Sequence, residues 1–138
     1  MSERTLIDYV LRGMSGRWEW GCKHADPYTP GIADMSGFIP RAGNVWIECK
    51  ALDRWPVRPG TAVKLSRFTP EQRAFLRARR GFLFLRVGRD YLLYHGPVIE
   101  NMDRMNRAEM VAGAECQWQG SVDWQEFCVV IRGRNPNG

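Results

Sequence analysis

The sequence predicts an α/β domain in which a mixed β-sheet is flanked by helices. Three observations lead there. Helical and strand-like patterns alternate along the chain, in the order helix, strands, helix, strands, helix. The run Phe82–Val87 is apolar at both alternating sets of positions, as in a strand covered on both faces. The 138 residues are 44% hydrophobic and 25% charged, which suits one globular domain and excludes a disordered or fibrous chain.

Residues 2–13 read as a helix, with Leu6, Tyr9, Val10 and Met14 at helical spacing, Ser2 as N-cap and Gly13 near the end. Trp18–Cys22 is a short aromatic strand, and His24–Gly31, with two prolines and an aspartate, is a loop. Ile32–Ile39 and Val45–Leu52 form a hairpin around Arg41–Gly43, where Gly43 can take a positive φ. This register pairs Phe38 with Trp46, Ser36 with Glu48 and Asp34 with Lys50. Asp53–Phe68 is a long loop rich in proline and arginine, a length associated with function. Thr69 caps the next helix, with Pro70 at its first position and Gln72 completing a capping box; the helix ends near Arg80. Phe82–Val87 and Tyr91–His95 are strands. A helix is expected near 103–112, and a helix or terminal strand near 123–131. The core is therefore placed at about 1–96 of a single domain, with an extension over 97–131 and a frayed tail over 132–138.

The net charge of +5 is unevenly placed. Ten cations lie between Arg54 and Arg89 against a single acid, Glu71, while the rest of the chain is slightly acidic. A local basic block is the electrostatic footprint of a polyanion, nucleic acid above all, or else an ordinary solvated surface. Seventeen of the twenty cations are arginine, the residue suited to bidentate phosphate contact. Arg54, Arg58, Lys64, Arg67 and Arg73 are the candidate nucleic-acid contacts. No apolar run is long enough to span a bilayer, no signal peptide is expected, and the four scattered cysteines read as reduced thiols of a cytoplasmic protein.

Strand alternation divides Val45–Leu52 into two faces. Val45, Ile47, Cys49 and Ala51 form a small apolar face suited to pack under a helix. Trp46, Glu48, Lys50 and Leu52 form the other, and the hairpin brings Asp34 beside Glu48 and Lys50. Two carboxylates supply the hard oxygens that Mg²⁺ prefers, and the Cys49 carbonyl lies between the two side chains in sequence. A solvent-facing Glu–Lys pair is the plainer reading of the same spacing.

Three segments carry a resemblance: Gly31-Ile32-Ala33-Asp34, Trp46-Ile47-Glu48-Cys49-Lys50, and Leu65-Ser66-Arg67-Phe68-Thr69-Pro70-Glu71-Gln72. Their order resembles the PD-(D/E)xK nuclease superfamily, and within it the virus-type replication–repair (VRR-NUC) and small phage nucleases. The resemblance covers about residues 1–96. It implies a restriction-endonuclease-like core and a Mg²⁺- or Mn²⁺-dependent deoxyribonuclease, encoded by a phage and acting on duplex or branched DNA in the host cytoplasm. It implies metal ligation by Asp34, Glu48 and the Cys49 carbonyl, catalysis by Lys50, and orientation of substrate or water by Gln72. For the family's upstream acid, Glu3 fits the first helix and Glu19 the following strand, with Glu19 preferred. Ala33 stands where the family has proline. Homodimerisation is a further expectation for small nucleases of this fold. The rival function is a nuclease fold that no longer cleaves and instead binds nucleic acid or a host protein.

Other residues carry weaker signals. Cys22 and His24 have the spacing of half a zinc site. Trp20 and Trp46 are expected to pack the core or a cleft wall. Trp55 is either a stacking platform for a base or an anchor for its loop.

Overall fold

The computed structural model describes residues 1–26 and 28–135. Helix α1 (Glu3–Gly13) opens the chain, followed by β1 (Trp20–Lys23), β2 (Met35–Ile39) and β3 (Gly43–Leu52). Then come α2 (Pro70–Arg79), β4 (Phe82–Val87), β5 (Asp90–His95), a 3₁₀ turn at Gly96–Asn101, α3 (Arg107–Gly113), β6 (Cys116–Gln119) and α4 (Trp124–Arg134). The six strands form one sheet in sequence order. The β3–β4 pair is parallel and every other pair antiparallel, so the sheet is mixed.

Helices cover both faces, and alternation along the strands builds two cores. Ile47, Cys49, Phe82, Phe84, Tyr91 and Leu93 meet Leu6 and Val10 of α1 and Phe127 and Ile131 of α4. Leu83, Leu85, Leu92 and Tyr94 project the other way, onto Phe75 and Leu76 of α2, Met110 of α3, and Val63, Leu65 and Phe68 of the long loop. Central strand β4 is thus apolar on both faces for the expected reason. The face of Val45, Ile47 and Cys49 packs against α1, also as expected.

The caps follow the sequence closely. Ser2 Oγ accepts from the Thr5 amide. Thr69 and Gln72 form a reciprocal capping box at α2, with bonds of 3.2 and 3.0 Å. The 53–69 segment is irregular yet anchored: Val63 N–H donates to the Met105 carbonyl at 2.8 Å and Leu65 N–H to Asp103 Oδ1 at 2.6 Å.

Four expectations need correction. First, β2 begins at Met35, not Ile32, and the hairpin turns through Pro40–Ala42. Arg41 takes φ 71° between Pro40 and Ala42, and Gly43 takes φ 79° as the first ladder residue. The register shifts by two, pairing Phe38 with Asn44 and Ser36 with Trp46. Second, residues 97–135 are not an appendage. β6 extends the sheet from β5, and α4 completes a core with α1. Third, helix α4 runs to Arg134, beyond the expected start of fraying. Arg132 Nε donates to the Pro40 carbonyl at 2.9 Å and Asn135 Nδ2 to that of Ala42 at 2.9 Å. The rest of the expected tail, 136–138, lies outside the described residues. Fourth, Trp20 is 47% exposed on edge strand β1, whereas Trp46 is half-buried and meets the Phe75 ring edge-on at 5.0 Å. Among the described residues no helix is long and apolar enough to cross a membrane.

Candidate active site

The site forms where the sheet forks. The last β2–β3 pair is Met35 with Ile47. Beyond it β3 continues to Leu52 with β4 alone. Glycine at position 31 sets the approach: its φ is +72°, and a Cβ there would lie 2.3 Å from the Glu71 backbone. The chain can therefore press against the start of α2 and deliver Asp34 to the open edge of β3.

At that edge Asp34 replaces the departed strand. Its Oδ2 accepts the Cys49 N–H at 2.8 Å, and its own N–H donates to Glu48 Oε1 at 3.2 Å. In a strand the N–H and C=O of one residue point to the same side, so the Cys49 carbonyl lies on this edge too. Two residues after Glu48, and hence on the same face, Lys50 Nζ sits 3.5 Å from Glu48 Oε2. It also sits 3.8 Å from Glu3 Oε1 of α1. It donates to the carbonyls of Ser66 at 3.2 Å and Arg67 at 3.1 Å, from the loop on the other face. Lys50 is thus held from both layers at once. Glu48 and Lys50 are 1% and 2% exposed, so the exposed Glu–Lys pair is not what forms.

Burial dominates the electrostatics. Desolvation, then the neighbouring Asp34 charge, push the Glu48 carboxyl up to about 8, against the smaller opposing pull of Lys50. Desolvation also raises Asp34, opposed by the Cys49 amide. Glu3 is raised by burial as well, with Lys50 acting the other way. Glu48 and Glu3 share one ammonium and Asp34 lies beside them, an arrangement short of positive charge. The donors present are hard oxygens, the kind that fit Mg²⁺ or Mn²⁺. Among the described residues no group of three or more His, Cys, Asp or Glu is arranged to hold a metal. Carbonyl, water and substrate oxygens would fill the rest of a shell.

The structure sorts the other candidates. It brings in Glu3 and leaves Glu19 out. Glu19 is exposed and bonds to Phe38 by its N–H, at the end of the β1–β2 ladder remote from Asp34. No sequence period marks Glu3, because its reach to Lys50 depends on how α1 crosses the sheet. Gln72 commits its side-chain oxygen to the Thr69 amide. Arg73 turns inward: it pairs with Asp103 at 2.5 Å, donates to the carbonyls of Phe68 and Met102, and lies over the Phe68 ring. Lys64 is exposed, but its ammonium donates to the Asp103 carbonyl at 2.8 Å. Arg54, Arg58 and Arg67 are exposed, and Arg67 holds φ 59° where its carbonyl meets Lys50.

Trp55 anchors its loop by donating from Nε1 to Asp90 Oδ2 at 2.7 Å. Cys22 Sγ is 4.0 Å from His24 Nε2, which bonds to Ser36 Oγ at 2.7 Å, and no further ligand joins them among the described residues. A cavity of about 490 Å³ beside α2 and the 3₁₀ turn lies apart from the carboxylates. Its two glutamates are each tied to an arginine, Glu100 to Arg77 and Glu115 to Arg134, both at 2.6 Å. His95 on its wall lies tilted over Phe82, with ring centroids 4.5 Å apart, and its Nε2 meets the Arg80 carbonyl at 3.1 Å.

Comparison with family models, curated proteins and solved structures finds no match.

Proposed function

We propose that the chain is a divalent-metal-dependent nuclease of the PD-(D/E)xK type, hydrolysing phosphodiester bonds in DNA. The observation that carries this reading is the fork. Asp34 is fixed on the Cys49 amide beside Glu48, with Lys50 held two residues further along the same strand. A cation held by Asp34, Glu48 and the Cys49 carbonyl would polarise a phosphoryl oxygen and lower the pKa of a water. The protein's own contribution is placement and charge. Lys50, immobilised by two carbonyls and two carboxyl groups, offers a fixed positive charge where a phosphoryl group gains negative charge, at no cost of reorganisation. Glu3 shares that ammonium from the exposed side. Exposed Arg67 stands at the mouth, where it can meet an incoming phosphate.

The near-complete burial of Glu48 and Lys50 favours a second reading, a fold that binds nucleic acid without cutting it. Linear, circular, single-stranded and branched DNA, each incubated with Mg²⁺, Mn²⁺ or EDTA, separates the two. The nuclease cuts at least one substrate, only with metal. Binding that persists in EDTA, with no cleavage of any substrate in either metal, sinks the nuclease reading.

A further inference from the structure

We infer that a pocket at the carboxyl ends of β3 and β4 receives the nucleic-acid strand flanking the cleavage point, with Arg54, Arg89 and Arg107 on its phosphates. This rests on the nuclease reading of the Asp34–Glu48–Lys50 site and extends it to a specific part of the surface.

The topology makes the place. Among the described residues β3 and β4 are the sheet's parallel pair, so their carboxyl ends lie together, joined by Gly88 N–H donating to the Leu52 carbonyl at 3.0 Å. Lys50 lies in β3 four residues before Arg54. At about 3.3 Å per residue that is a path of roughly 13 Å, short enough for one strand to reach both.

The lining has the chemistry of a nucleotide chain. The cavity is about 440 Å³ and draws cations from three separate segments: Arg54 after β3, Arg89 in the β4–β5 turn, and Arg107 at the start of α3. Arg54 and Arg89 are exposed and have no carboxylate partner among the described residues. Arg89 lies across Gly120, where a Cβ would come 3.0 Å from its guanidinium. Arg107 rests over the Trp55 ring at 5.1 Å from its centroid and 3.8 Å from Asp90 Oδ2. Asp90 is 8% exposed and accepts from Trp55, so little of its charge faces the cavity; Asp53 is the exposed acid of the rim. Pro56 and Val57 add an apolar edge, Val57 being 92% exposed, against which a sugar or base can lie. Guanidiniums spread over three segments suit successive phosphates of a chain better than one small anion.

The test measures binding of a fluorescent single-stranded oligonucleotide in EDTA, as a function of salt, and cleavage in Mg²⁺ separately. The Arg54→Ala/Arg89→Ala variant should bind about tenfold or more weakly, with a log–log salt slope lowered by up to about 1.4, since each phosphate contact on a single strand contributes about 0.7. A control with the same charge loss, Arg12→Ala/Arg41→Ala, removes exposed cations from the end of α1 and the hairpin turn. It should keep most of the affinity. Equal losses in both variants, or none in the first, overturn the pocket. If wild type cleaves and the pocket variant binds as wild type does, the pocket fails and the nuclease stands. If wild type never cleaves but binding depends on Arg54 and Arg89, the pocket stands as a binding site and the nuclease reading fails.

Discussion

Asp34 Oδ2 accepts the Cys49 N–H at 2.8 Å, so a side chain does at the fork what a neighbouring strand does elsewhere in the sheet. Fold and chemistry therefore meet in one carboxylate, and two substitutions should separate them. Asn keeps an oxygen acceptor but loses the negative charge. Asp34→Asn should melt close to wild type and lose metal-dependent cleavage. Asp34→Ala should lose cleavage and also about 1–3 kcal/mol of stability, from the unpaired amide. Thermal melts of both variants beside a cleavage assay test this, and full activity in Asp34→Asn would falsify the assigned site.

The two candidates for the upstream acid should behave oppositely. Glu3 shares the Lys50 ammonium, whereas Glu19 stands at the far end of the β1–β2 ladder. Glu3→Gln should lower cleavage by roughly tenfold, about 1.4 kcal/mol of transition-state stabilisation. Glu19→Ala should match wild type. Single-turnover rates at saturating enzyme decide between them, and the reverse ranking would return the role to Glu19.

Gln72 should act as a helix cap. Gln72→Ala should destabilise by about 0.5–1 kcal/mol, the usual scale for a lost capping contact. Saturated turnover of the folded fraction should be unchanged. A drop of two or more orders of magnitude in turnover at unchanged melting temperature would give Gln72 a role at the substrate.

Arg73 should matter for stability and little for binding. Removing its guanidinium strips partners from Asp103 and several loop carbonyls. Arg73→Ala should cost about 1–3 kcal/mol in urea unfolding. Its DNA salt slope should stay at the wild-type value, and a slope lower by about one would instead place Arg73 on a phosphate.

The buried acids give stability a definite pH dependence in the metal-free protein. Glu48 titrates near 8 in the fold, against 4.5 for an ordinary glutamate, so between these values the native state holds a proton the unfolded chain has released. Stability contributed by this group is complete below pH 4.5 and falls as pH rises towards 8. The slope can reach about 1.4 kcal/mol per pH unit for one proton. Asp34 is shifted the same way and adds to it. Glu48→Gln should flatten this decline in denaturant titrations across the window; an unchanged slope would put the extra proton elsewhere.

How much of this was legible in the sequence depends on the kind of information each feature needs. The face shared by Glu48 and Lys50 was readable because a strand has period two. The hairpin slip preserved it, because a shift of two residues leaves every side chain on its own face. It changed the cross-strand partners, Phe38 from Trp46 to Asn44 and Ser36 from Glu48 to Trp46, and left Asp34 beyond the last ladder pair, beside Glu48 rather than Lys50. The turn itself misled, since Arg41 adopts the left-handed backbone that reasoning from composition assigns to glycine. Strand β6 was hidden because it is only four residues long: Cys116 and Trp118 face inward and Gln117 and Gln119 outward, but two turns of alternation are too few to stand out in a sequence. Arg73 looked like Arg58 because Asp103, which distinguishes them, is thirty residues away.

The clasp of α4 on the hairpin bears on how the chain is made. Arg132 and Asn135 hold the carbonyls of Pro40 and Ala42 across sequence separations of 92 and 93. During synthesis the β2–β3 hairpin emerges long before its clasp. Until then the hairpin is held by its own pairing, by β1 and α1, and by β4 once that strand has emerged, and contacts of such long range are slow to close. An alternative turn displaced by two residues would leave the same side chains facing inward. The clasp fixes on the carbonyls of one turn only. The clasp from α4 thus favours the strand alignment on which Asp34 depends.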